Sequence, residues 1–283
     1  MRFNNTLWLC TAGILWLIAM TGCGPSGPRT GTPDWYWQAA HDTFTTGDYV
    51  KCDEHLEKLI TGDNPYTSRA IAWRVILTAG MAGGYKDVAD AFEAGARVNK
   101  TAPAQFRKLM NDYRALANRR AISFAETVLK FEQLKVDGDI QIPFGFPKGN
   151  PLPVPDLKRV GEGLLLAEAP LAAAERAAIE RRILLTTCEV VGAGEDVARA
   201  QKLFTNEGAR VSRQTFMLGV AKRMKDLAEL YSPYKLDQPE RHKLMVEKAL
   251  AILKGLPESD ETKKMTKELE GTLKDIEKRL KGA

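Results

Sequence analysis

Residues 36–60 read YWQAAHDTFTTGDYVKCDEHLEKLI. Tyr36, Ala39, Ala40, Thr43 and Phe44 recur at spacings of three and four, which puts them on one face of a helix. Tyr49, Cys52, Leu56 and Ile60 form a second stripe of the same kind. Gly47-Asp48 separates the two, and so short a connection folds the second helix back on the first. The stretch predicts a helix, a tight turn and an antiparallel helix. Strand signals are scarce beyond it, so the fold class expected is all-α.

The pattern recurs. Trp37, Gly47, Tyr49, Cys52 and Leu56 have counterparts 36 residues later in Trp73, Gly83, Tyr85, Val88 and Phe92. A fixed period between about 20 and 50 residues is the signature of stacked repeats.

On these residues the chain resembles the tetratricopeptide repeat (TPR) family. That family has a Gly-x-Tyr turn between two helices, a small residue three positions after the Tyr, and Pro near the repeat end. Gly47-Asp48-Tyr49, Cys52 and Pro65 match, and Gly83-Gly84-Tyr85 with Val88 match less closely. The period of 36 departs from the family's usual value of about 34. The resemblance covers Trp35 to Pro103. It implies antiparallel helical hairpins stacked as a TPR-like α-solenoid, in one piece or in two helical halves, with a concave groove that binds proteins. Trp37 and Trp73 are the candidate binding residues, facing either that groove or the core.

No third clean copy follows. Ala104 to Asp137 lacks both Gly and Pro. It is either one helix of about 50 Å or two helices broken near Asn118-Arg119-Arg120. Residues 137–156, DGDIQIPFGFPKGNPLPVPD, are rich in Pro and Gly and cannot continue a helix. Ile140-Gln141-Ile142 is a candidate strand, and Phe144 and Phe146 favour packing on the helices over free solvation. Helical patterns resume over 172–191, 195–204 and 211–231. Asp237 is the expected cap of the next helix, with Pro239 in its first turn. Met245, Val246, Ala249, Leu250 and Leu253 share one face of it. Ser259 or Asp260 caps a last helix striped by Met265, Leu269, Leu273, Ile276 and Leu280.

The N-terminus bears on compartment. Arg2 precedes an apolar run from Leu7 to Met20, shorter than the roughly 20 residues of a membrane span. Met20-Thr21-Gly22-Cys23 resembles the lipobox of bacterial lipoproteins. The resemblance implies cleavage before Cys23, a diacylglycerol on its thiol, and palmitate-type acylation of its amine. Gly24 in place of Asp points to the outer membrane, with the domain facing the periplasm. A Gly- and Pro-rich tether follows. Of the remaining thiols, Cys52 and Cys188 either pair or stay buried and free.

Little catalytic chemistry is visible. Lys and Arg number 41 against 36 Asp and Glu, a net charge of +5 and too mild for nucleic acid binding. Cys52 and His55 share a helix face, but only His41 lies near as a third ligand, so no metal is expected. No Gly-x-Ser-x-Gly occurs, and His242 has no evident partner. Gly161-Glu162-Gly163 lacks the context of a dinucleotide fingerprint. Among the carboxylates Glu126, Glu132, Glu168 and Glu175, no catalytic pair stands out, and Glu258-Ser259 reads as a helix cap. The lysines of the last helix alternate with Glu268, Glu270, Asp275 and Glu277, which is the pattern of a solvated face.

The expected organisation is a signal peptide (1–22), a tether (23–34), a TPR-like region (35–136), a Pro/Gly-rich linker or ordered loop (137–157) and a C-terminal helical region (158–283). The expected function is a non-enzymatic, lipid-anchored scaffold or adaptor in envelope or outer-membrane protein assembly, similar in plan to the repeat-containing lipoproteins of the barrel assembly machinery. It needs no cofactor. Its partners are the membrane, through the lipid, and proteins, with peptidoglycan a further candidate. The alternative is a peptidoglycan-associated enzyme or an activator of a cell-wall enzyme.

Overall fold

A computed structural model describes residues 27–134, 138–146 and 152–282. The signal segment, the lipobox and Cys23 lie outside the described residues.

The chain is all-α, as expected, with one small antiparallel ribbon. Helix α1 spans Pro33–Thr45, with Thr32 accepting a hydrogen bond from the Trp35 N–H and Pro33 in the first turn. Gly47, at φ +78°, reverses the chain, and the Asp48 N–H returns to the Thr43 carbonyl at 2.8 Å. Helix α2, Tyr49–Ile60, is capped by the Asp48 side chain and packs on α1. The first hairpin is therefore where the sequence puts it.

The second is not. Helix α3 runs unbroken through Thr67–Val98, and Gly83-Gly84-Tyr85 sits inside it. These three residues make no turn, so the 36-residue spacing does not mark two equivalent hairpins. Every residue from Ala70 to Tyr85 is buried. A helix apolar on all sides is a core helix, and α3 is packed by elements from both halves of the chain. One is α4, Pro103–Gln133, which continues through Asn118-Arg119-Arg120 without a break. Another is α6, Glu168–Val190, whose backbone approaches the glycines. A Cβ on Gly80 would lie 2.7 Å from the Ile183 Cα. Helical glycine costs about 1 kcal/mol relative to alanine, and here that cost permits helix-to-helix contact.

The Pro/Gly-rich segment contributes an ordered piece. Strand β1, Ile140–Ile142, pairs antiparallel with β2, Ala209–Val211, with Ile140 opposite Val211 and Ile142 opposite Ala209. Phe144 and Phe146 are buried. Short helix α5, Leu157–Gly161, lies on α3, and α7, Val197–Leu203, leads into β2.

Helix α8, Arg213–Ala228, packs against α9, Pro239–Lys254, which packs against α10, Asp260–Gly282. Met245, Val246, Ala249, Leu250 and Leu253 are buried as their stripe predicts, and so are Met265, Leu269 and Ile276. Ser259 accepts a hydrogen bond from the Thr262 N–H at 3.1 Å and is the cap of α10. Asp237 does not cap α9. That position belongs to Gln238, while Asp237 takes φ +55° and its carboxylate meets Arg279 of α10. Cys52 and Cys188 are buried free thiols. Burial pushes the Cys188 thiol up to about 11, and the Cys52 thiol is raised further in the same way.

Candidate functional site

A cleft of about 520 Å³ opens between the α1–α2 turn, one face of α6 and the segment after β1. Gly47 shapes its rim. Its positive φ swings the chain from α1 to α2, and the Cδ of Arg176 would lie 3.3 Å from a Cβ at that position. Phe44 and Phe144 form the floor, their ring centroids 4.9 Å apart. Arg176 and Glu180 project from successive turns of α6. Neither makes a hydrogen bond or ion pair within the described residues. An arginine and a carboxylate four residues apart would ordinarily meet on a helix, so both heads are open to an incoming group. Among the described residues Glu180 is the one carboxylate in the lining.

His41 closes the inner side of the cleft. Burial lowers its pKa, and Arg69 lowers it further against the pull of Asp42, so the ring is neutral at physiological pH. Tyr49 beside it has its hydroxyl pKa raised by burial and by the Glu180 carboxylate. The wall facing a ligand is thus a neutral imidazole, a protonated phenol, a guanidinium and a single carboxylate over an aromatic floor.

The two tryptophans singled out from the sequence part company. Trp73 is fully buried and lies behind the cleft, with its ring 4.7 Å from His41 and 5.6 Å from Phe144. It is a core residue, and its Nε1 has no hydrogen-bond partner among the described residues. Trp37 touches Trp73 edge-on but stays partly exposed, stacked on Tyr66 at 4.8 Å under the guanidinium of Arg69. Neither lines the cleft.

Other candidates are dispersed. Cys52 is in the core, while His55 meets the ring of Trp35 and His41 that of Trp73. Among the described residues no group of three His, Cys, Asp or Glu could hold a metal ion. Glu132 pairs with Lys248, and Glu175 accepts the Tyr113 hydroxyl at 2.8 Å. His242 is buried on α9 with its Nε2 unpartnered among the described residues, and burial lowers its pKa.

Sequence reasoning missed the ion pairs that join distant helices. Asp53 of α2 accepts from Arg74 of α3 at 2.7 Å and from Arg120 of α4. Glu93 accepts from Arg114 at 2.8 Å and from Lys235 at 2.9 Å, and Lys235 also reaches Asp90. The signal that could have pointed to them was charge on positions facing the core, such as Asp53 next to Cys52. The cleft residues Arg176 and Glu180 carried no such signal, because exposed charges on a helix are ordinary.

Among the described residues no helix is long and apolar enough to cross a membrane. No protein-family model, curated protein or solved structure matches the chain.

Proposed function

We propose that this chain is a lipid-anchored scaffold or adaptor of the bacterial envelope. It faces the periplasm from the outer membrane, holds a segment of a protein partner in the His41–Phe144–Arg176 cleft, and catalyses no reaction. The lining of the cleft carries this reading. Glycan hydrolysis by the usual acid–base route uses two carboxylates about 5–10 Å apart, and among the described residues this cleft offers Glu180 alone. Aromatic rings with a few unpaired polar heads suit a peptide instead. The lipobox-like Met20-Thr21-Gly22-Cys23 supports the location. Two or three acyl chains hold a protein at a membrane far more firmly than one, and anchoring raises its effective concentration for neighbours there.

A photoreactive residue at Thr46, exposed on the cleft rim, tests this in cells. The expected result is a reproducible set of outer-membrane assembly proteins crosslinked from Thr46 and absent when the same group is placed at Lys274 on α10. Wall enzymes or glycan fragments in their place would move the function to the cell wall.

A further inference from the structure

We propose that the N-terminal turn of α1 is a seat for the lipid headgroup layer, made by a collar of Trp35, Tyr36, Trp37 and Tyr66 together with Arg69. The proposal rests on the lipid anchor at Cys23 and adds a second, non-covalent contact with the same bilayer.

The reach of the tether is the first argument. The Thr32 N–H and hydroxyl both donate to the Arg29 carbonyl, at 3.1 and 2.7 Å, and the hydroxyl accepts from the Trp35 N–H at 3.3 Å. From Arg29 onward the chain is thus tied to the start of α1. Only six residue steps separate Arg29 from Cys23. Fully extended, they span at most about 20 Å. A lipid on Cys23 therefore keeps Arg29 within about 20 Å of the bilayer surface, and the helix start tied to Arg29 carries three consecutive aromatic residues.

The chemistry of the collar is the second. Tryptophan and tyrosine collect at membrane–water interfaces, where an apolar ring body and a polar tip are both satisfied. All four rings are partly exposed. They are also held in place. Trp37 stacks on Tyr66, and the Arg69 guanidinium lies 4.9 Å and 5.2 Å from their two centroids. Trp35 stands edge-on to Tyr36 at 5.1 Å and to His55 at 5.5 Å. The Tyr66 hydroxyl donates to Asp34 at 2.5 Å. Rings fixed in advance lose little freedom on entering the headgroup layer. None of the four lines the cleft, so the seat leaves it open to a partner.

Charge is the third. Arg69, over the rings of Trp37 and Tyr66, is offset by Asp34, which accepts the Tyr66 hydroxyl. The collar thus holds one charge of each sign, so seating depends on the rings, does not need anionic lipid, and resists added salt.

The test uses the lipoprotein extracted from cells that produce it and reconstituted in phosphatidylcholine vesicles. The chain from Cys23 onward contains three tryptophans, Trp35, Trp37 and the buried Trp73. Lipids brominated near the headgroup should quench part of the tryptophan emission, equally at low and high salt. Trp35→Phe with Trp37→Phe should lose that quenching and leave the Trp73 emission intact. Each single variant, which keeps a ring in place, should lose part of it. The mass of the N-terminal peptide reports the anchor separately. A lipid-bearing Cys23 with unquenched emission overturns the seat and leaves the anchor standing. An unmodified Cys23 removes the anchor and the seat with it.

Discussion

Gly84 of α3 and Ile179 of α6 meet backbone to backbone: a Cβ on Gly84 would lie 2.5 Å from the Ile179 Cα. This contact, with Gly80 against Ile183 one turn earlier, sets how closely α3 and α6 approach. Gly84→Ala gains about 1 kcal/mol of helix propensity but forces a backbone atom to move. Overpacking of this kind costs about 1–3 kcal/mol, and a main chain yields less than a side-chain tip, so the net change is destabilising. Urea unfolding should show a lower midpoint for Gly84→Ala, and a larger drop for Gly84→Val.

Gly47 holds the rim of the cleft at φ +78°. An L-residue there costs about 1–2 kcal/mol, and a new Cβ would also press on the Arg176 side chain. Gly47→Ala should lose stability by about that amount. Gly47→Asn, which tolerates the left-handed region, should lose less. The same urea series separates the two, and equal losses would locate the cost in the Arg176 contact instead of the backbone.

Asp53 is the shared acceptor of Arg74 and Arg120, and its side chain is 5% exposed. Removing one partner of a buried pair leaves an uncompensated charge and costs about 3–5 kcal/mol. Asp53→Ala should therefore destabilise far more than Asp48→Ala, whose carboxylate lies at the surface. Replacing Asp53 and Arg74 together by apolar residues should recover part of the loss. A calorimetric double-mutant cycle measures both.

His41 and His242 are both buried enough to lower their pKa. Below the unfolded value of about 6.5, the unfolded chain binds protons that the folded chain does not, so stability rises with pH. The contribution is complete above pH 6.5 and is lost as pH falls toward the lower folded values. Each histidine sets a slope of at most about 1.4 kcal/mol per pH unit. Melting temperature should drop between pH 7 and pH 5, and His41→Gln with His242→Gln should flatten that drop.

The first hairpin and the last two helices were legible because each is half exposed. Their apolar residues fall on one stripe and their caps are short-range, as with Ser259 ahead of α10. Helix α3 was not legible. With apolar residues on every side it has no stripe, and Gly83-Gly84-Tyr85 suggests a turn only through its 36-residue offset from Gly47-Asp48-Tyr49. The cleft was half visible. Gly47 and Phe144 stood out, whereas Arg176 and Glu180 became a site only once α6 was laid across the α1–α2 turn.

Local spacing alone determined the helical class, the Gly47 reversal, the strand at Ile140–Ile142 and the likeness of Met20–Cys23 to a lipobox. Those features depend on residues a few positions apart, and short-range sterics and hydrogen bonds specify them. Only the tertiary structure decided that Gly80 and Gly84 are contacts within a buried helix, that Trp73 is core while Trp37 stays at the surface, and that Asp53 ties three helices together. Those outcomes depend on partners far away in the chain. Close packing and the need to pair every buried charge choose such partners, and periodicity along the chain carries no record of them.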